Sequence, residues 1–284
     1  MSPDSLERLL ALAIPATYVV SVAVILGEFL ALRRLAVPVD RRAGKASLLS
    51  GGLSFGGLAL ANRLVFVGLM HVAWAHRLAD LGLGLLAFGV GFVVYDLMFW
   101  VAHVAGHRVR LLWCFHAVHH TSEEMRLVAA VRGSALDFVY LPWFFVWIPL
   151  LGVHPSVVLI VEAFGRIWGV LTHVHPRFVG RLGALDRWLV TPSVHRVHHG
   201  RNPAYIDQNF GEVLTLWDHL FGTWAPEVEP PDYGVLEPVD AGSLADIQLS
   251  PWRDLWRDVR AASGLGGRLR ALFASPGGAY GGSV

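Results

Sequence analysis

A chain of 284 residues is long enough for two ordinary soluble domains, yet 54% of its residues are hydrophobic and only 16% are charged. A composition this apolar predicts an integral membrane protein rather than a water-soluble one. The formal net charge of +1 gives no general basic field for nucleic acid, and the single cysteine, Cys114, excludes an intramolecular disulfide and a CxxC site. We expect Cys114 to be a buried apolar filler.

Three apolar segments in the first half of the chain predict membrane-spanning helices. They cover residues 9–32, residues 48–74, which are rich in glycine and interrupted by Asn62-Arg63, and residues 81–102. The first segment is too long for a signal-peptide core, so we expect it to be a retained anchor. The loop after it carries five Arg and Lys residues between positions 33 and 45, which predicts a cytoplasmic loop and an external N-terminus.

Histidines cluster directly after the third span. They form one HxxxH and one HxxHH motif, and a second HxxHH follows some eighty residues later, the members being His103, His107, His116, His119, His120, His195, His198 and His199. Helical residues three and four apart project from one face, so each motif can present several imidazoles to one metal ion. With 14 histidines in the chain, this set of motifs is a strong signal of a metal site.

The second half of the chain predicts a helical hairpin that returns to the first cluster. Two shorter apolar segments, residues 136–151 and 155–172, are separated by a Gly-Val-His-Pro turn signal. A hairpin that enters and leaves on one side keeps the second HxxHH on the side of the first. The chain therefore predicts an all-α, multi-span transmembrane bundle of four to five spans with a cytoplasmic histidine-rich helical cap.

The chain divides into three predicted parts. Residues 1–45 form an N-terminal membrane anchor helix and a basic linker, residues 46–224 a membrane catalytic domain, and residues 225–284 a C-terminal loop and an amphipathic helix. The apolar face of that helix, which includes Trp252 and Val259, either lies on the membrane surface or packs against the cap.

The histidine content exceeds the needs of a single zinc ion, which takes three or four protein ligands, so we expect two metal ions. Imidazoles without a dense set of carboxylates or thiolates suit iron better than magnesium, calcium or an iron–sulfur cluster, and zinc stays compatible. Metal-binding histidines are commonly oriented by carboxylates, and the sequence offers six candidates without distinguishing among them: Asp96, Glu123, Glu124, Asp186, Asp207 and Asp218.

For several other polar residues the sequence allows more than one role. His173 and His175 lie after the last span, and alternation by two predicts that only one of them ligates. Glu162 and Arg166 sit four apart in an apolar segment, either marking function or neutralising each other as a structural pair. The remaining histidines are expected to be interfacial or structural.

The segments LLWCFHAVHHTSEEM and TPSVHRVHHGRNPAYIDQNFGEVLTLWDHLFGTW, together with the HxxxH motif, resemble the fatty acid hydroxylase and sterol desaturase superfamily of membrane di-iron oxygenases. The likeness covers residues 41–224 and is greatest to a bacterial branch similar to the alkylglycerol monooxygenases. It implies the eight motif histidines as iron ligands and best matches His175 to the family's histidine on the span before the last cluster. The chain departs from the branch at Pro176-Arg177, Val194 and Arg126, outside the eight core positions.

The resemblance implies an enzyme that uses two iron ions and dioxygen to hydroxylate or desaturate an unactivated C–H bond of a lipid. We expect a lipid substrate from the bilayer, a separate electron donor, and a site facing the cytoplasm of a bacterial inner membrane. The sequence does not choose among fatty acyl, sterol, ether lipid and carotenoid-like substrates or between hydroxylation and desaturation, and it does not specify an oligomeric state. Two other classes are also open: a metal transporter, whose ligands should lie at mid-membrane, and a zinc-dependent membrane hydrolase, which would need a motif such as HExxH that the sequence lacks.

Overall fold

The fold, described by a computed structural model over residues 3–276, is helical, and these residues contain no β-strand. Ten α-helices follow one another in this part of the chain. They are α1 (Pro3–Arg34), α2 (Arg41–Ala61), α3 (Val67–Ala75), α4 (Leu85–Arg108), α5 (Arg110–His120), α6 (Pro155–Thr172), α7 (Pro192–His198), α8 (Leu216–Phe221), α9 (Leu244–Ala261) and α10 (Gly264–Phe273).

Four helical stretches are long and apolar enough to cross a membrane: Pro15–Arg34, Arg41–Ala75, Leu85–Arg108 and Pro155–Thr172. Large apolar side chains such as Leu64 and Leu86 point outward and are 70% and 64% exposed. Water-soluble proteins rarely expose so many large apolar side chains, whereas the hydrocarbon region of a bilayer solvates them favourably. The predicted multi-span helical bundle is confirmed, and the third span continues through His107 as one helix.

The second span is continuous despite its polar interruption. Between α2 and α3 the chain forms a π-helix, Asn62–Phe66, in which backbone hydrogen bonds are kept with a wider turn. The wider turn leaves Arg63 exposed and Phe66 buried. The interruption in the sequence is therefore a local widening of the helix and not its end.

The hairpin of residues 136–172 is present, but its two arms differ. The first arm is a run of short 3-10 helices, Asp137–Val139, Leu141–Phe144 and Ile148–Leu151, and the second arm is α6. Pro142 and Pro149 lack the N–H that a regular α-helix needs, which explains the broken first arm. The arm ends at Gly152, which has φ of +93° and packs so closely on Ala79 that a side chain would clash with the Ala79 carbonyl.

The ends of α1, α4 and α6 and the start of α2 meet at one end of the bundle, where α5 and α7–α9 form what we call the cap. Helix α9 packs on α5, with Ile247 and Leu255 buried and the Trp252 ring edge-on to Phe115 at 4.9 Å. Of the two predicted placements of this helix, the structure shows packing against the cap. Cys114 is fully buried in that contact, where burial raises the pKa of its thiol to about 12, as expected for an inert filler.

Candidate metal centre

Nine imidazoles converge at the junction of the bundle and the cap, in two groups. Within each group one ring nitrogen per histidine lies within 4.8 Å of all the others. The first group is His103, His107, His116, His120 and His198, and the second group is His119, His173, His195 and His199. All eight motif histidines are thus brought together, and the stacked rings of His120 and His199, 4.4 Å apart, join the two groups.

Helix geometry explains how each HxxHH motif serves both groups. A residue four positions on lies about 40° around the helix, whereas a residue three positions on lies about 60° the other way. On α5, His116 and His120 therefore share the first group while His119 points to the second. In the second motif, His195 and His199, which are four positions apart, lie in the second group, and His198 lies in the first. The motif is suited to bridging two adjacent sites.

Backbone carbonyls fix the protonation of four of these rings. The Nδ1 atoms of His103, His119, His173 and His198 lie 2.7–3.1 Å from the carbonyl oxygens of Phe210, Arg132, Gly169 and Gln208 respectively. A carbonyl oxygen can only accept a hydrogen bond, so each Nδ1 carries the proton and each Nε2 presents a bare lone pair. The inward-facing nitrogens of these rings are therefore acceptors.

The spacing of the Nε2 atoms fits metal binding. His119 and His173 face each other at 3.3 Å with two lone pairs and no proton between them, a contact that a cation stabilises. Six further Nε2 pairs within the groups lie 3.1–3.2 Å apart. For metal–nitrogen bonds of about 2.0–2.1 Å, neighbouring ligand nitrogens lie roughly 2.9 Å apart around an octahedral metal ion and roughly 3.4 Å apart around a tetrahedral one. The observed Nε2–Nε2 distances fall between these two values. The donor sets fit resident metal ions.

Burial keeps the cap imidazoles neutral, the state in which they can bind a metal. Desolvation lowers the pKa of His119 to about 4 and that of His198 to about 3. The same cause holds the pKa values of the remaining cap members of both groups well below the usual range, at His116, His120, His173, His195 and His199.

Of the six acids that could orient the ligands, Asp207 is the one whose carboxylate approaches a histidine of either group within the described residues. Its Oδ1 lies 3.5 Å from Nδ1 of His107. Glu124 and Asp186 bind elsewhere, the first accepting from the backbone N–H of Asp40 and the second from the hydroxyl of Thr191. Glu123 is exposed.

Asp96 and Asp218 act on the ligands indirectly, through the loop before α8. Asp96 accepts from the N–H of Val213 and the indole of Trp217, and Asp218 accepts from the N–H groups of Phe210 and Gly211. These bonds fix the loop whose carbonyl at Phe210 accepts from His103. Both acids therefore position a backbone acceptor and not a ring directly.

The structure brings His173 and not His175 into the second group. His173 caps the end of α6 and faces the site, while the half-buried ring of His175 accepts from the N–H of Arg177. The backbone N–H of His175 donates to Glu28 of α1 at 2.8 Å, which turns the chain away from the site. His173 is therefore the one of the two that converges on the other imidazoles, and the prediction that only one of them ligates stays a prediction. The position of His173 at the helix end is the signal that separates them.

A cavity lined mainly by apolar side chains lies inside the bundle on the membrane side of the histidines. Phe99 of α4 lines it, and the Phe99 ring lies 5.4 Å from the His103 ring, whose buried Nε2 has no hydrogen-bond partner. Glu162 and Arg166 also line the cavity, joined by an ion pair of 2.6 Å. Glu212, which the sequence interpretation did not single out, lines it as well.

Residues 88–223, which include all nine converging histidines, match the family model described as fatty acid hydroxylase. Alkylglycerol monooxygenase of Xenopus tropicalis is 34% identical over 186 residues, 66% of this chain and 41% of the relative. Ornithine lipid hydroxylase of Rhizobium tropici is 32% identical over 166 residues, covering 56% and 48% of the two chains, and cholesterol 25-hydroxylase of Homo sapiens is 28% identical over 133 residues, covering 46% and 48%. The chain thus spans less than half the length of these relatives. No solved structure gives a significant match.

Proposed function

We propose that this chain, which belongs to the fatty acid hydroxylase family through its residues 88–223, is a membrane-bound non-haem di-iron oxygenase that hydroxylates or desaturates an unactivated C–H bond of a lipid with dioxygen. The observation that carries the proposal is the convergence of nine imidazoles in two adjacent groups beside an apolar cavity. The names of the relatives, which act on alkylglycerols, ornithine lipids and cholesterol, support a lipid substrate.

The two groups would each hold one iron ion. The first group offers five imidazoles and the second four, with His173 in the place that the family resemblance gave to His175. When bound, a ferrous pair supplies the electrons and the redox chemistry that activate dioxygen against an unactivated C–H bond. Zinc fits the same nitrogen donors and could replace iron on purification, but it lacks that redox chemistry.

The residues of the chain contribute positioning and the exclusion of water. Backbone carbonyls, such as that of Phe210, hold the rings in the orientation that aims Nε2 into each group. Phe99 lines the cavity and its ring lies edge-on to that of His103, so a lipid chain in the cavity would approach the centre along an apolar side chain. These features favour oxidation of a carbon delivered from the bilayer side.

The basic loop between α1 and α2 supports a cytoplasmic site. Its Asp40 carbonyl accepts from Arg126 and its Asp40 N–H donates to Glu124, which places the loop at the histidine end of the bundle. The positive-inside rule then orients the centre toward the cytoplasm of a bacterial inner membrane. A separate reductase, ferredoxin or pterin-type donor in that compartment would supply the electrons.

The test is metal analysis combined with mass spectrometry of lipids from cells that do or do not express the protein. We expect two irons per purified chain and lipids that gain the mass of one oxygen atom or lose that of two hydrogen atoms. His119→Ala should abolish both readouts and leave membrane insertion intact, while His76→Ala, which changes an exposed histidine outside both groups, should alter neither. Unchanged lipids, or metal-dependent ion transport into vesicles in their place, would refute the oxygenase assignment.

A further inference from the structure

Two carboxyl groups and one guanidinium line the cavity, whose other lining side chains are apolar except for Asn62 and Tyr95. Arg166 donates to Oε1 of Glu162 from Nε at 3.0 Å and from Nη2 at 2.6 Å, one turn apart on α6. Glu212 reaches the same cavity from the loop before α8. Ionisable groups inside a membrane bundle are costly, so a cluster facing a cavity marks a functional site more often than a packing accident. We refer to Glu162, Arg166 and Glu212 as the polar cluster.

The carboxyl group of Glu212 is held in a place built for it. The side chain is 7% exposed and lies over Gly165 of α6, where an added Cβ would come within 2.5 and 2.6 Å of the two carboxyl oxygens. Glycine at position 165 therefore makes the room that the carboxyl group occupies. The Oε2 atom is buried and has no hydrogen-bond partner. An unmet buried acceptor is unfavourable, and a ligand with a hydrogen-bond donor would satisfy it.

The charges of the polar cluster select among lipid groups. Two carboxyl groups face one guanidinium, and that guanidinium is already engaged by Glu162. Burial raises the pKa of Glu212 well above its usual range, so the polar cluster carries no net positive charge that would offset a carboxylate or phosphate headgroup. A lipid hydroxyl can instead donate to the Glu212 carboxyl group, which favours a donor-bearing lipid. The π-helix supports a ligand site here, because Asn62 and Phe66 at its ends line the cavity and π-turns often occur at functional sites.

The polar cluster lies at a distance from the metal centre. Arg166 and Glu162 precede His173 on the same helix by seven and eleven residues, roughly 10 and 16 Å along its axis at about 1.5 Å per residue. The cavity continues between the cluster and Phe99, beside His103. A lipid anchored at the cluster would therefore present to the centre a carbon remote from its polar group.

We propose that the polar cluster binds a hydrogen-bond-donating group of the lipid substrate, with Glu212 accepting the hydrogen bond, so that oxidation takes place at a carbon remote from that group. The inference rests on the proposed function and names its substrate class: a lipid alcohol or other donor-bearing lipid, in preference to a free fatty acid or a hydrocarbon.

Equilibrium binding of labelled 1-hexadecanol to the iron-loaded protein in detergent, without reductant and therefore without turnover, tests the proposal. Unlabelled hexadecane and hexadecanoate serve as competitors of the same chain length. For the wild type we expect 1-hexadecanol to bind about tenfold more tightly than hexadecane, as one hydrogen bond to a buried carboxyl group predicts. Hexadecanoate should be the weakest competitor.

Two pairs of variants separate the hydrogen bond from general damage. Glu212→Leu should remove the preference for the alcohol over the alkane, while the isosteric Glu212→Gln, whose amide oxygen still accepts, should keep most of it. Gly165→Ala should weaken the preference by displacing the carboxyl group, whereas Gly89→Ala on α4, which has no atom within 4 Å of the added Cβ and does not line the cavity, should not. Iron content and Tm of each variant establish that it is folded.

A preference for the alcohol that survives Glu212→Leu in a folded, iron-loaded variant would overturn the inference, as would a wild type that binds hexadecane or hexadecanoate as tightly as 1-hexadecanol. Both results leave the oxygenase proposal standing if the wild type oxidises lipids. Failure of the wild type to oxidise any lipid would instead count against the oxygenase, whatever the binding preference.

Discussion

Replacing His173 or His175 by alanine gives a direct test of the metal centre, because the two residues lie two positions apart and only one converges. The Nε2 atom of His173 lies 3.1–3.3 Å from those of His119, His195 and His199. The ring of His175 lies outside both groups and accepts one hydrogen bond from a neighbouring backbone N–H. We expect His173→Ala to lose the metal of the second group and His175→Ala to retain both metals.

The size of the effect follows from the number of ligands. A metal site of four protein ligands contributes about 10–16 kcal/mol of binding free energy, so one ligand in four accounts for about 2.5–4 kcal/mol. That loss weakens metal affinity by about two to three orders of magnitude. His175→Ala removes one neutral hydrogen bond at the edge of the cap, which is worth about 1 kcal/mol of stability and carries no metal.

The assay is iron content per chain after purification and dialysis against a weak chelator, with lipid oxidation and membrane insertion measured in parallel. His173→Ala should fall from two irons to one and lose activity while still inserting, because the apolar spans are unchanged. His175→Ala should match the wild type in iron and activity. Loss of iron by His175→Ala with retention by His173→Ala would refute the arrangement of the second group.

Three further outcomes are expected. Asp207→Asn should weaken iron binding at the first group by about 10- to 100-fold, measured by metal titration, because its carboxylate lies beside Nδ1 of His107. Glu28→Ala should lower the Tm of the protein in detergent, because the carboxylate accepts two backbone N–H groups of cap-side loops at 2.8 Å, each worth about 1.5–3 kcal/mol. Acidification below about pH 6.5 should lower the Tm of the iron-free protein, because burial lowers the pKa of His119 to about 4 and that of His198 to about 3. The unfolded chain then takes up protons that the folded chain does not, costing about 1.4 kcal/mol of stability per pH unit for each histidine until its folded pKa is reached. A Tm independent of pH from 5 to 8 in the presence of chelator would contradict this.

The sequence by itself determined the class of the fold and the identity of the motif histidines. Long apolar runs have one stable solution in a membrane, which is to form helices, and this is why the spans are read from composition and length. Residues three and four apart on a helix share a face, so HxxxH and HxxHH predict convergence before any tertiary contact is known. The same local logic limits the choice after α6 to one of His173 and His175.

Only the tertiary structure decided how those histidines are divided and what faces them. Which histidines of the second HxxHH motif join His120 and which join His119 depends on the angle at which α5 meets α7, and no local pattern specifies that angle. Glu212 lies far along the chain from Glu162, and the cavity that joins them exists only after α6 and the loop before α8 have packed together. Local sequence sets which way a side chain points from its own helix, whereas its neighbours are set by the packing of distant segments.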